Sequence, residues 1–302
     1  MSKHLIAIVG PTAIGKTSLS IALAKHFNTA IISCDSRQVY KEMSIGTAVP
    51  TNEELAAVKH YFIQSKSIFE PFNVGQFERE ALEILNTLFK TKDVVIMVGG
   101  SGLYADAVIN GLDYFPEVDP NIRIQLKKEL ENDGLYALQL KLKQLDKESY
   151  KSIEIQNPQR LCRALEICMG TGKPYSSFKN KVKKERAFKT TLIGLETTRE
   201  TLYERINKRV DIMFDTGLLE EATNLYAHKE LNALQTVGYQ EIFNYLDNVY
   251  SLDIAINTIK RNTRHFAKRQ ITWFKKNKNI TWFNFKKTEG IIPFLEAKLN
   301  DK

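Results

Sequence analysis

"LIAIVGPTAIGKT", residues 5–17, sets an apolar run against a glycine-bracketed loop that closes on a lysine and a threonine. The run "HLIAIV" (4–9) is rich in β-formers and stops at Gly10, while "TSLSIALAKHF" (17–27) carries apolar residues at helical spacing. Strand, loop and helix follow, which is the context that the pattern G-x-x-x-x-G-K-[ST] needs. Gly10, Pro11, Thr12, Ala13, Ile14, Gly15, Lys16 and Thr17 are therefore read as a phosphate-binding loop. The glycines let successive N–H groups turn inward, and the helix N-terminus adds its positive end. Lys16 brings a point charge, and Thr17 a hydroxyl for Mg²⁺.

Whose phosphate the loop holds is a separate question. "TAIIS" (29–33) and "DVVIMV" (93–98) are continuous apolar runs, as expected for parallel strands covered on both faces, so the fold class is α/β. Nucleotide-hydrolysing relatives of such loops carry an acidic residue at the end of a later strand, but "DVVIMVGG" (93–100) runs into two glycines. An acid stands instead in "IISCDSRQVY" (31–40), where Asp35 follows the second strand. At the carboxyl end of a strand it can serve as general base, metal ligand or turn-former.

At 302 residues the chain can bury a sizeable core without staples. Forty-three basic residues against 35 acidic ones give a net charge of +8, which makes a polyanionic partner plausible. Cys34, Cys162 and Cys168 have no metal-type spacing and are expected to be buried structural thiols of a reducing compartment. No segment has the length of a membrane span and the apolar N-terminal run is too short for a signal peptide, so a cytoplasmic protein is expected, by default a monomer. After "GLDYFPEVDPN" (111–121) the pattern turns helical and lysine-rich to about residue 185, and "TTLIGLE" (190–196) restores a strand. Residues 113–185 are thus read as a helical insertion into a core formed by 1–112 and 186–302.

From Arg199 onward the chain reads as helical almost throughout. Over Ser251–Lys276, Ile259 and Phe266 fall on one helical face and Arg261, Arg264 and Lys268 on the other, one face for packing and one for anions. The aromatics Trp273, Phe274, Trp282, Phe283 and Phe285 interleave with lysines, a pattern open to base stacking, but are expected instead to anchor the chain end in the core.

Seven stretches together resemble the tRNA dimethylallyltransferase family. They are "GPTAIGKT" (10–17), "DSRQVYKEMSIGTAVP" (35–50), "VGGSGLYADAV" (98–108), "NPQRLCRALEI" (157–167), "RINKRVDIMFDTGLLEE" (205–221), "QTVGYQEI" (235–242) and "TRHFAKRQITWF" (263–274), in that family's order and spread over nearly the whole chain. The resemblance implies a P-loop NTPase-like core and transfer of a dimethylallyl group from dimethylallyl diphosphate to N6 of the tRNA adenosine beside the anticodon. The loop would then hold a diphosphate leaving group with Mg²⁺, reached without the DDxxD pattern of other prenyl transferases, which this sequence lacks.

By the same resemblance Asp35 is the general base, Ser101 orients a substrate group in a place where the family more often has threonine, and Arg209 clamps the diphosphate. Ile14 fills a variable loop position to which no cost is attached. The tRNA contacts implied are Asp35, Ser36, Arg37, Gln38, Ser101, Arg123 and the run Gln159, Arg160, Leu161, Cys162, Arg163, to which the basic face of Arg261, Arg264 and Lys268 is added. Some eukaryotic relatives carry a C-terminal zinc module, but no cysteine follows Cys168, so no zinc is expected. A small-metabolite kinase with the insertion as lid, or a nucleotide-gated RNA binder without transfer chemistry, remains the alternative reading of the loop alone.

Overall fold

The apolar run at 4–9 forms β1 (His4–Val9), every residue of it buried. Its alternation is internal to the core: Leu5, Ala7 and Val9 join one hydrophobic cluster, Ile6 and Ile8 another. That is why a period-two pattern is invisible in the sequence, because both faces of the strand are covered. Each such leucine or isoleucine contributes about 2–3 kcal/mol relative to exposure.

The structure is a computed structural model describing residues 3–179 and 185–300. The chain forms two compact units, residues 1–110 with 185–302, and residues 111–184. In the first unit β1 is followed by α1 (Lys16–His26), β2 (Ile31–Ser33), α2 (Asn52–Ala57), β3 (His60–Tyr61), α3 (Val74–Leu88), β4 (Val94–Gly99) and α4 (Gly102–Asn110). The second unit holds α5 (Pro120–Leu145), broken at Gly134, α6 (Lys147–Ser152) and α7 (Pro158–Thr171). The first unit resumes with β5 (Lys189–Glu196), α8 (Arg199–Asp215), α9 (Leu218–Leu225), α10 (Tyr239–Leu246), α11 (Leu252–Lys275), β6 (Ile280–Asn284) and α12 (Ile291–Asn300).

The strands make one six-stranded parallel sheet in the order β3-β2-β4-β1-β5-β6. β1 sits between β4 and β5, so the loop leaving its carboxyl end opens beside those that leave β2 and β4, the region where open α/β sheets gather ligands. Two strands depart from the sequence reading. β6 interrupts the expected helical C-terminal part, and β3 was not foreseen, since two residues at a sheet edge carry no period. β6 lies in the lysine-rich stretch "KKNKNITWFNFKK" (275–287), whose polar flanks hide a five-residue edge strand. Trp282 packs on one cluster, and Phe283 and Phe285 on the other, so these aromatics anchor the chain end to the sheet.

The second unit has its own small core of Leu126, Leu138, Leu142, Leu161, Ala164, Leu165 and Cys168. Its α7 starts where the sequence dictates: Asn157 Oδ1 accepts from the amides of Gln159 and Arg160, and Pro158 occupies the first turn. Residues 180–184 of the expected helical insertion lie outside the described residues.

Candidate active site

The loop between β1 and α1 places Ala13 at φ +62° and Gly15 at φ +100°. Left-handed residues within a turn aim successive amides to one side, which builds a concave anion nest, and glycine takes that conformation without the Cβ penalty. Gly15 caps α1, no side chain accepts from the helix start, and no acidic residue lies in its first turn. The free amides and positive end of α1 therefore serve the nest.

Cations converge on this loop. Lys16 Nζ donates to the carbonyls of Gly10 (3.0 Å) and Pro11 (2.7 Å). Burial of its ammonium, followed by repulsion from Arg209, lowers its pKa to about 8, with Asp35 acting in the opposite direction. From α8, Arg209 Nη1 donates to Thr12 Oγ1 (3.4 Å), and burial, with the charge of Arg205 next, presses its pKa down. Two cations, Lys16 and Arg209, held together against desolvation and mutual repulsion are stabilised by an anion. Arg205 itself donates from Nε to Ala13 O (2.7 Å) and lies 4.8 Å over the Phe285 ring. The sequence reading gave Arg205 no role, although its place four residues before Arg209 on one helix put both on the same face.

A cavity of about 310 Å³ joins the loop to the end of β2, and Lys16, Thr17, Asp35, Gln38, Arg209 and Gln270 are among its walls. Asp35 Oδ1 accepts from the amides of Arg37 (2.9 Å) and Gln38 (3.3 Å). It is thus a turn-former and a cavity carboxylate at once, with one oxygen fixing the backbone turn. Beside it Cys34 is fully buried and its thiol is pushed up to about 12, first by burial, so it is inert packing. Cys168 is likewise buried, whereas Cys162 keeps part of its surface exposed, contrary to expectation.

The Asp35 turn is tied down on both sides. Ser101 Oγ accepts from Ser36 N and donates to Ser36 Oγ, both at 3.1 Å, so this hydroxyl braces the Asp35 turn. Gln38 Nε2 donates to the carbonyls of Thr47 (3.2 Å) and Ala48 (2.8 Å), and Arg37 Nη1 to those of Asn232 (2.8 Å) and Ala233 (3.1 Å).

Several expectations need correction. Ile14 is not a free loop position: its side chain is completely buried in the core, so only its backbone can face an anion. Leu161 is equally buried in the second unit's core and offers RNA no side-chain contact. On α11 Ile259 is buried, but Phe266 is 38% exposed and lines the cavity beside the loop, because the core-facing stripe runs through Ala267 and Gln270 instead. Arg264 is partly engaged, since Nη1 donates to Asn207 Oδ1 (2.8 Å) and the guanidinium lies over Tyr203. Arg261 and Lys268 are exposed. In the second unit Gln159 and Arg160 are exposed, while Arg123 (3.4 Å) and Arg163 (3.0 Å) share the Glu166 carboxylate and Arg163 lies over Phe115.

A parallel sheet of the P-loop NTPase type, with a concave loop of inward amides at its carboxyl edge and a cavity carboxylate after β2 instead of β4, fits a P-loop enzyme of group transfer. The chain belongs to the IPP transferase family, whose model matches residues 38–277. It is 56% identical to the tRNA dimethylallyltransferase of Flavobacterium psychrophilum, covering 98% of this chain and 99% of that protein. Among solved structures it resembles the full-length tRNA isopentenylpyrophosphate transferase of Bacillus halodurans, with 39% identity, TM-score 0.74, and coverage of 100% of this chain and 98% of that one. A eukaryotic dimethylallyltransferase acting on tRNA superposes with TM-score 0.83 at 25% identity, over 99% of this chain and 79% of that one.

Proposed function

We propose that the chain transfers a dimethylallyl group from dimethylallyl diphosphate to N6 of the adenosine adjacent to the anticodon in tRNA. The observation that carries this reading is the placement of the Asp35 carboxylate on the same cavity as Lys16 and Arg209. In the reaction the C1–O bond of the donor breaks and the N6–C1 bond forms. The N6 proton passes to Asp35 and the electron pair leaves on diphosphate. Lys16, Arg209 and the loop amides meet the charge that develops on the departing oxygens, and such preorganised donors stabilise a transition state without reorganising.

The adenine N6 lone pair is delocalised into its ring, so holding the amine against C1 matters as much as removing its proton. The adenosine has to leave its stack to reach a carboxylate inside a cavity. Arg261, Lys268 and, in the second unit, Arg160 offer exposed charge to the RNA backbone, which supplies affinity, while the Asp35 turn supplies selectivity.

The described residues hold no cluster of three acidic, histidine or cysteine side chains suited to a metal. A Mg²⁺ that came with the diphosphate would need none, and Thr17 on the cavity wall would hold it through its hydroxyl. Bound there, the ion would neutralise charge on the leaving group. No helix of the described residues is long and apolar enough to cross a membrane.

The test is incubation of the protein and Mg²⁺ with unmodified tRNA and dimethylallyl diphosphate, followed by nucleoside mass analysis. N6-isopentenyladenosine is the expected product. Its absence with competent tRNAs, together with ATP-dependent phosphorylation of a small acceptor, would return the protein to the kinases.

A further inference from the structure

We infer that Gln270 is a positioning residue that sets the spacing between the phosphate loop and the turn carrying Asp35. The inference rests on the transfer reaction proposed above. Gln270 lies on α11, is 7% exposed, and its carboxamide bridges two loops that are far apart in sequence. Oε1 accepts from the Thr12 amide at 2.8 Å, and Nε2 donates to Gly100 O at 3.0 Å. One partner is a backbone donor and the other a backbone acceptor, so a single orientation of the amide satisfies both.

The bridge continues on either side. Thr12 belongs to the anion nest and its hydroxyl accepts from Arg209. Gly100 is followed by Ser101, whose hydroxyl holds Ser36 beside Asp35. A path of hydrogen bonds and adjoining backbone thus runs from the loop through Gln270, Gly100 and Ser101 to Ser36, the chain neighbour of the residue proposed as base. It occupies the end of β4, where a nucleotide hydrolase would have its metal-binding acid and this chain has Gly99 and Gly100.

Two details show how closely the parts fit. A Cβ on Gly100 would lie 2.2 Å from Gln270 Nε2, so the amide is seated against bare backbone. Three residues on, Trp273 Nε1 donates to Asp106 Oδ2 (3.0 Å) on α4, which fixes α11 to the helix that directly follows Ser101. Because Gln270 consumes the Thr12 amide, it does not add a donor for the diphosphate. Its contribution is geometric, and it belongs in turnover rather than in donor affinity.

The experiment is a kinetic comparison of wild type, Gln270→Met, Gln270→Ala, Gly100→Ala and the Gly100→Ala/Gln270→Ala pair, with pyrophosphate binding and Tm measured on each. Methionine retains the packing volume and loses both hydrogen bonds. Gln270→Met is expected to keep pyrophosphate affinity within about threefold and to lose about 10- to 100-fold in kcat, the scale of an ångström of misplacement. Gly100→Ala should show the same signature by displacing the amide, and in the Gln270→Ala background it should cost little more, because the clash is gone.

Wild-type kcat in Gln270→Met, a loss confined to donor affinity, or additive losses in the pair would each overturn the inference while wild-type isopentenyladenosine formation upholds the reaction. A wild-type protein that forms no such product removes the reaction and the inference with it.

Discussion

Tyr239 donates its hydroxyl to Glu221 Oε1 at 2.6 Å, and the same carboxylate gathers the backbone amides of Ser44, Ile45 and Gly46 at 2.8–2.9 Å. Three sequence stretches, 35–50, 205–221 and 235–242, meet at this one acid. The segment it pins leads directly into Thr47 and Ala48, whose carbonyls hold Gln38 beside Asp35. Removing the acceptor strands three amides, so Glu221→Ala should destabilise the protein by about 2–4 kcal/mol and Tyr239→Phe by about 1–2 kcal/mol. Denaturant unfolding measures both, and equal losses would show that the backbone amides contribute nothing.

Lys16 gives the donor site a pH dependence. Its pKa of about 8 in the free protein rises when a diphosphate neutralises its surroundings. Below about pH 8 the ammonium is present in both states and affinity is on its plateau. As pH rises through 8 the free protein sheds a proton that binding must restore, so affinity falls, by up to about tenfold per pH unit, until the pKa of the complex is reached. Pyrophosphate titrates too, so the comparison is with Lys16→Arg, which stays charged. A pH profile shared by both proteins would remove Lys16 as its source.

Asp35→Asn retains the Oδ1 acceptor that fixes the turn and loses the charge. Transfer should fall by about 10²- to 10⁴-fold while pyrophosphate binding holds or strengthens slightly, since a negative group leaves the cavity. Single-turnover assays with saturating donor test this; retained turnover would exclude Asp35 as base.

Arg205 shapes the loop by gripping Ala13 O from its stacked position on Phe285. Arg205→Ala should weaken pyrophosphate binding by about tenfold, near 1.4 kcal/mol, and Arg205→Lys should restore little of it, because an ammonium neither stacks nor presents the same fork. Calorimetric titration distinguishes the two variants.

On α11 the exposed cations and the engaged one should behave differently. If Arg261 and Lys268 each meet one phosphate as proposed, neutralising both should reduce the slope of log affinity for tRNA against log salt by about 1.4–1.8. Arg264→Gln should change that slope less and lower Tm instead, through Asn207 and Tyr203. Filter binding at several salt concentrations reads the slopes.

The sequence alone determined the parallel α/β core, the glycine-bracketed loop between β1 and α1, and the acid after the second strand. These are local features: a buried strand needs a continuous apolar run, and a phosphate nest needs its glycines and lysine at fixed spacing. The tertiary structure decided the rest. That Ile14 and Leu161 are core residues depends on which face of each element is covered, which one chain of letters does not state. Arg205 and Gln270 gain their partners across 192 and 258 residues of sequence, so their roles exist only once α8 and α11 pack beside the loop. Propensity and periodicity act over a few residues, whereas a site is assembled by the packing of helices onto a sheet. For that reason the kind of chemistry was legible in short motifs, and the arrangement that performs it was not.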